Sequence, residues 1–135
     1  MLHNRSVPPC HVIPVICYPD PAAAADWLIR AFGFRVRLRI GNHRIQMHAG
    51  EGCFTIREGN ETPNQSCYVQ VRIEDAIGHC ERARQAGAKI LTEPVEHNYG
   101  ERQYNAMDFY GHKWDFTETV RDVEPESWGG TSVNL

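Results

Sequence analysis

Two stretches of the chain show the same order of apolar and polar positions. Each begins with a short apolar run typical of a strand, continues through an Asp into a segment with helical periodicity, and ends at a Gly; the two are VIPVICYPDPAAAADWLIRAFGF and CYVQVRIEDAIGHCERARQAGAK. Asp20 and Asp75 stand where a side-chain acceptor caps the start of a helix, and Gly33 and Gly87 stand where a left-handed residue ends one. The pattern therefore predicts an internal repeat.

Three further strand-like segments follow each predicted helix. They cover about 34–40, 43–49 and 52–58 in the first half and 88–96, 102–108 and 112–119 in the second. The chain thus reads as two βαβββ modules, 11–60 and 66–120, which form one α+β domain over residues 11–120, with tails at 1–10 and 121–135. Because one helix covers only one face of a four-stranded sheet, we expect curved mixed sheets around a cleft.

Composition narrows the setting without naming a function. The chain has 135 residues, of which 41% are hydrophobic and 23% charged, and these values are typical of a soluble domain. The net charge of −3 argues against nucleic acid and anionic membranes as partners. Because the sequence shows no apolar signal-peptide core, and its five cysteines are scattered without a CxxC pair, we predict a cytoplasmic protein with reduced thiols.

Three segments resemble the glyoxalase/bleomycin resistance/dioxygenase (vicinal oxygen chelate) superfamily. They are YPDPAAAADWLIRAFGF, VRIEDAIGHCERARQAGAKI and YGERQYNAMDFYGHKWDFTET, and the last is similar to the family's closing pattern of Gly-x-Arg, a strand, Asp-x-x-Gly-His and a final strand. The tail DVEPESWGG resembles the ending of an uncharacterised glyoxalase-like branch. The resemblance implies a small-molecule cleft and a homodimer in which a module of one chain faces a module of the other.

The resemblance also implies four positions for metal ligands, on the first and last strand of each module. Matched to this sequence, these positions hold Ile13, Thr55, Tyr68 and Asp115, whereas the family usually places His or Gln, Glu, His and Glu there. Only Asp115 is a good ligand, so we predict that the usual catalytic metal and other cofactors are absent. A shift of two residues would replace Ile13 by His11 and leave His11 and Asp115 as candidate ligands of a divalent metal.

Strand alternation predicts which side chains line the cleft, because residues two apart share a face. The candidate ligand-binding residues are Arg44, Gln46, His48, Tyr68, Gln70, Gln103, Asn105 and Asp115. Such groups would grip a small polar or aromatic molecule, although a solvated sheet face has a similar composition. His48 is the candidate for acid–base chemistry, because His titrates near neutral pH.

Three functions remain open on these observations. The first is a small-molecule-binding protein without the family's metal. The second is a glyoxalase-like lyase, isomerase or dioxygenase that uses a divalent metal. The third is a dimeric structural or regulatory module with no small-molecule ligand.

Overall fold

A computed structural model describes residues 2–135 and contains two modules of identical element order. The first module consists of β1 (Val15–Tyr18), α1 (Pro21–Phe32), β2 (Arg35–Ile40), β3 (Arg44–Ala49) and β4 (Gly52–Glu58). The second consists of β5 (Val69–Arg72), α2 (Ala76–Gln85), β6 (Lys89–Glu96), β7 (Glu101–Met107) and β8 (Lys113–Thr119). The predicted βαβββ repeat is therefore confirmed. No helix within residues 2–135 is long and apolar enough to cross a membrane.

Each module folds into one mixed four-stranded sheet. The strand orders are β1-β4-β3-β2 and β5-β8-β7-β6, and in both sheets the first strand of the module runs parallel to the last. The helices begin as predicted, since Asp20 Oδ1 accepts a hydrogen bond from the Ala23 N–H at 3.2 Å and Asp75 Oδ1 accepts one from Gly78 at 3.1 Å. The α+β class is confirmed.

The two modules share one apolar core. Trp114 of β8 is fully buried, and its ring centroid lies 5.3 Å from those of both Phe34 and Phe54, which belong to the first module. Phe32 at the end of α1 packs in the same way on Phe116, at 4.8 Å. Since the apolar sides of both sheets meet this core, the polar sides of the two sheets point away from it on separate surfaces of the chain.

His79 of α2 connects three elements around this core. Its Nε2–H donates to the Phe32 carbonyl at 2.9 Å, and its Nδ1 accepts from the Tyr104 hydroxyl of β7. The Phe32 carbonyl requires a proton on Nε2, so in the neutral imidazole Nδ1 is the acceptor for the Tyr104 hydroxyl. Burial lowers the pKa of His79, and the charge of Arg82 lowers this pKa further.

This lowered pKa predicts a loss of stability in mild acid. An unfolded His titrates near pH 6.5, so the unfolded chain binds a proton that the folded chain resists as the pH falls below that value. Urea unfolding at about pH 7.5 and about pH 5.5 should show a lower free energy of unfolding at the acidic pH. His79→Gln, which does not titrate, should reduce this difference, whereas His43→Gln, an exposed residue of the β2–β3 turn, should retain it. An unchanged difference in His79→Gln would contradict the assignment.

Candidate functional site

Asp115 on β8 lies at the centre of a polar arrangement in the second sheet. The strand register places it opposite Gln70 of β5 and Asn105 of β7. Asn105 Nδ2 donates to Asp115 Oδ1 at 2.7 Å, and Gln70 Nε2 donates to Asp115 Oδ2. The Asp115 side chain is largely buried, at 6% exposure, so amide donors meet both oxygens of the carboxylate. Three of the predicted residues are thus brought together.

A chain of hydrogen bonds extends this arrangement along β7, β8 and β5. The Tyr99 hydroxyl donates to Gln103 Oε1 at 2.7 Å, and Gln103 Nε2 donates to Thr117 Oγ1 at 3.1 Å. Thr117 Oγ1 donates to Glu101 Oε1 at 2.6 Å, and the Arg72 guanidinium donates to the same oxygen at 2.8 Å. Of these residues only Gln103 was predicted from the sequence, although Thr117 lies two residues from Asp115 and Glu101 two residues from Gln103.

The charges of this chain follow from its contacts. Burial alone would raise the pKa of Glu101, but the hydrogen bonds from Thr117, Arg72 and Thr119 outweigh it and lower the pKa. Partial burial and the charges of Asp115 and Glu101 raise the pKa of Tyr99, so its hydroxyl stays a neutral donor. We call this surface the module 2 face, and it consists of Gln70, Arg72, Tyr99, Glu101, Gln103, Asn105, Asp115 and Thr117.

Tyr68 lies at the margin of the module 2 face. It immediately precedes β5, and its ring is half exposed. The Lys113 ammonium lies 4.8 Å from the centroid of this ring, a distance typical of a cation–π contact. An aromatic surface and a cation therefore border the amide and carboxylate groups.

The first sheet carries a second polar surface, the module 1 face, which consists of Arg37, Gln46 and Thr55. Gln46 and Thr55 are directly opposite in the β3–β4 register, and each is 6% exposed. Arg37 Nη1 donates to Gln46 Oε1 at 2.5 Å. This face is covered, because Arg37 and Gln46 also bond the carbonyl groups of Arg5 and Ser6.

The eight predicted ligand-binding residues are therefore divided between the two sheets. Arg44, Gln46 and His48 belong to β3, whereas Tyr68, Gln70, Gln103, Asn105 and Asp115 belong to or border the second sheet. His48 consequently lies on a different sheet from Asp115. Strand alternation predicts the side of a sheet on which a residue lies, but it does not predict how the two sheets are oriented relative to each other. In the structure both apolar sides meet the shared core, so the two polar sides point in different directions.

The prediction that the cysteines are reduced thiols is wrong for two of them. Cys10 and Cys53 form a disulfide, with their Cα atoms 6.5 Å apart. Their separation of 43 residues gave no signal in the sequence, because the pairing depends on the N-terminal segment bringing Cys10 to the start of β4. Cys17 and Cys80 are buried free thiols, and Cys67 is an exposed one.

The residues at the family's metal positions do not fit a metal. In the strand register Thr55 pairs with Val15 and Asp115 pairs with Gln70, so neither last-strand residue pairs with a metal-binding side chain on the first strand. Within residues 2–135 no three His, Cys, Asp or Glu side chains are grouped so that they could hold an ion. His11 lines a cavity of about 560 Å³ together with residues of the N-terminal segment.

The Asp-x-x-Gly-His pattern forms a structural clip rather than part of the polar faces. Asp108 is buried, and its Oδ2 accepts from the Tyr18 hydroxyl at 2.6 Å and from the Trp114 indole N–H at 3.1 Å. Its Oδ1 accepts from the backbone N–H groups of Tyr110, Gly111 and His112, each at 3.0 Å. Since Tyr18 belongs to β1, this carboxylate joins the two modules.

Comparison with known proteins identifies the family of the chain. The family model of the Glyoxalase/Bleomycin resistance protein/Dioxygenase superfamily matches residues 11–116. The chain belongs to this superfamily. TioX from Micromonospora sp. ML1, another protein with this fold, is 33% identical over 85% of this chain and 100% of its own, with a TM-score of 0.70.

Other structures share the superfamily fold at lower identity. A glyoxalase/bleomycin resistance protein/dioxygenase family enzyme from Burkholderia phytofirmans PsJN is 16% identical over 78% of this chain and 95% of its own, with a TM-score of 0.68. The fosfomycin resistance protein FosX from Listeria monocytogenes is 13% identical over 81% of this chain and 92% of its own, with a TM-score of 0.68. At these identities the likeness concerns the fold alone. A search of curated proteins gave no match.

Proposed function

We propose that this superfamily member is a small-molecule-binding protein whose ligand site is the module 2 face and which works without the family's catalytic metal. The observation that carries the proposal is the state of Asp115, whose two oxygens accept hydrogen bonds from Asn105 and Gln70. A carboxylate held in this way orients neighbouring amides. Each oxygen keeps a further acceptor site, but within residues 2–135 no group of three His, Cys, Asp or Glu side chains could complete a metal site around it.

The open groups of this face suggest the class of ligand. Gln70 is exposed, so its amide oxygen is free to accept, while Tyr68 offers half of its ring surface. A few oriented polar groups beside an aromatic surface suit a small polar or aromatic molecule. The acidic Asp115 and Glu101 favour a ligand with a cationic or hydroxyl group. Bleomycin is a suitable first probe, because the superfamily carries its name and the molecule has cationic and aromatic groups.

We further propose that two chains pair, so that the module 2 face of one chain meets the first module of the other. The support is the separation of the two polar faces, which leaves neither enclosed by the opposite sheet. Apolar side chains border a cavity of about 400 Å³ between β1 and β5, two unpaired sheet edges, and Val15 in it is 51% exposed. Sedimentation velocity should therefore give the mass of two chains, and a single-chain mass at micromolar concentration would contradict the pairing.

A cytoplasmic location remains part of the proposal.

The binding proposal predicts a selective effect of Asp115→Ala. Two-dimensional NMR of the untagged protein titrated with bleomycin should show shifts at the side-chain amides of Gln70 and Asn105. Asp115→Ala releases both amides, so the affinity should fall by about tenfold or more, which corresponds to about 1.4 kcal/mol. Asp26→Ala, an exposed residue of α1, is the matched control and should leave the affinity unchanged.

A metal scan separates the binding protein from the metal-dependent enzyme. Thermal unfolding of the same untagged protein is measured with Zn, Ni, Fe, Mn and Co ions, since an ion bound to the folded state raises the melting temperature. We expect no saturable rise. A rise that is lost in both His11→Ala and Asp115→Ala would refute the metal-free proposal and favour the enzyme. If a broad panel of cationic and aromatic compounds causes no NMR shifts at the module 2 face, the result would favour the structural module.

A further inference from the structure

The N-terminal segment, residues 2–10, lies across the module 1 face. Arg37 Nη2 donates to the Arg5 carbonyl at 3.0 Å, and Gln46 Nε2 donates to the Ser6 carbonyl at 2.9 Å. Because Arg37 Nη1 also donates to Gln46 Oε1 at 2.5 Å, the two side chains form one pair of donors to two successive carbonyl groups. The segment leaves Gln46 only 6% exposed.

A second attachment fixes the other end of the same segment. Cys10 is bonded to Cys53, the second residue of β4, and the intervening Pro8 is buried. Beyond the disulfide the backbone continues along the sheet, since the Thr55 N–H donates to the Pro14 carbonyl at 2.8 Å. The carbonyl contacts and the disulfide are chemically independent, so each can be removed without the other.

We propose that the module 1 face is a binding site for amide carbonyl groups, that the N-terminal segment occupies it from within the chain, and that the Cys10–Cys53 disulfide holds the segment there until a dithiol reduces it. In that step the dithiol transfers two electrons and two protons to the S–S bond. Cys10 and Cys53 become thiols, and the dithiol becomes a disulfide.

The occupant identifies the class of outside ligand. Gln46 is buried and the Arg37 guanidinium beside it is half-buried, so this donor pair needs acceptors, and a buried amide left without one is costly. Two consecutive peptide carbonyls satisfy it now, and they belong to a turn in which the Val7 N–H donates to the Asn4 carbonyl at 3.4 Å. A molecule that replaces the segment must therefore present successive carbonyls in a similar turn, as a peptide does. The segment competes at a high effective concentration because it belongs to the same chain, and reduction lowers this concentration by freeing Cys10 from Cys53. The inference is independent of ligand binding at the module 2 face.

The Arg5–Ser6 peptide bond reports directly on the segment, because trypsin cleaves after Arg and requires a displaced, extended backbone. The full-length protein is digested briefly in its oxidised form, and again after reduction with dithiothreitol and removal of the reductant. Mass spectrometry follows release of the fragment ending at Arg5. We expect cleavage at least about tenfold faster after reduction, since proteolysis tracks the open population.

Cysteine variants test the disulfide without a reductant. Cys10→Ser should be cleaved as fast as the reduced protein, whereas Cys67→Ser, which removes an exposed free thiol, should keep the slow rate of the oxidised protein. Equal rates before and after reduction would overturn the role of the disulfide. If Cys10→Ser does not fold, the comparison of oxidised and reduced wild-type protein decides alone.

Arginine variants test the carbonyl site with the disulfide intact. Arg37→Ala removes the donor to Arg5 and the partner of Gln46, so cleavage after Arg5 should be about fivefold faster than in wild type. Arg35→Ala, an exposed residue of the same strand, should match wild type. Equal rates in the two variants would overturn the carbonyl site. Neither readout requires a small-molecule ligand, so failure here is distinguishable from failure of the proposed function.

Discussion

Asp108→Ala is expected to lower the free energy of unfolding by about 3–5 kcal/mol. The buried carboxylate accepts from the Tyr18 hydroxyl, from the Trp114 indole and from three backbone N–H groups of the β7–β8 turn. Alanine would leave these donors without a partner in a dry site, and unsatisfied buried donors cost more than the hydrogen bonds contribute. Burial raises the pKa of Tyr18, and the charge of Asp108 raises it further, so the hydroxyl remains a donor at neutral pH.

Equilibrium unfolding in urea measures this effect. Asp108→Asn should lie between wild type and Asp108→Ala, because its oxygen can still accept from the turn while its amide group meets the donors of Tyr18 and Trp114. Asp26→Ala, on the exposed side of α1, should stay within about 0.5 kcal/mol of wild type. A loss below about 1 kcal/mol in Asp108→Ala would show that water replaces the carboxylate.

Trp114→Ala should cost a similar amount, about 3–5 kcal/mol, for a different reason. The indole is fully buried between Phe34 and Phe54 of the first module and Phe32 at the end of α1. Removing it opens a cavity at the point where the two modules share their core, and the surrounding rings, which pack on other core residues, close such a cavity only in part. The variant therefore loses both apolar burial and the contact between modules.

Trp128 provides the matched control for this substitution. Its ring is 43% exposed and packs on Tyr99 at 5.2 Å, outside the shared core. Trp128→Ala should cost less than about 1 kcal/mol, and Trp114→Phe should cost less than Trp114→Ala because it fills part of the space. Similar losses for Trp114→Ala and Trp128→Ala in the same urea experiment would contradict the central place of Trp114.

The elements were predictable because their signals are local. Asp20 and Asp75 cap the helices from the positions that capping chemistry requires, and the segment predicted at 52–58 coincides with β4. The grouping of Gln70, Asn105 and Asp115 also followed from the sequence, because alternation and the internal repeat place all three on one face of neighbouring strands.

The rest of the site depends on contacts between distant parts of the chain. Residues 2–10 have no periodic pattern, so the sequence did not predict their contacts. Neither the hydrogen bonds of the Arg5 and Ser6 carbonyls nor the disulfide of Cys10 could be inferred from it. Counting back from the helix caps led to Ile13 and Tyr68, two residues before the strand residues that pair with Thr55 and Asp115. Strand register and the relative orientation of the sheets are set by packing, which a residue count does not contain.

Successive residues of strand β8 are under two different constraints, one from the shared core and one from the module 2 face. Trp114 and Phe116 are fully buried and hold both modules together, so substitutions there would be removed through loss of the folded protein. Asp115 and Thr117 face the opposite way, and substitutions at these positions would change the donors and acceptors of the module 2 face while the core stays intact. A duplicated scaffold built in this way allows the chemistry of its polar faces to change by point substitution at every second strand residue, without the fold having to change.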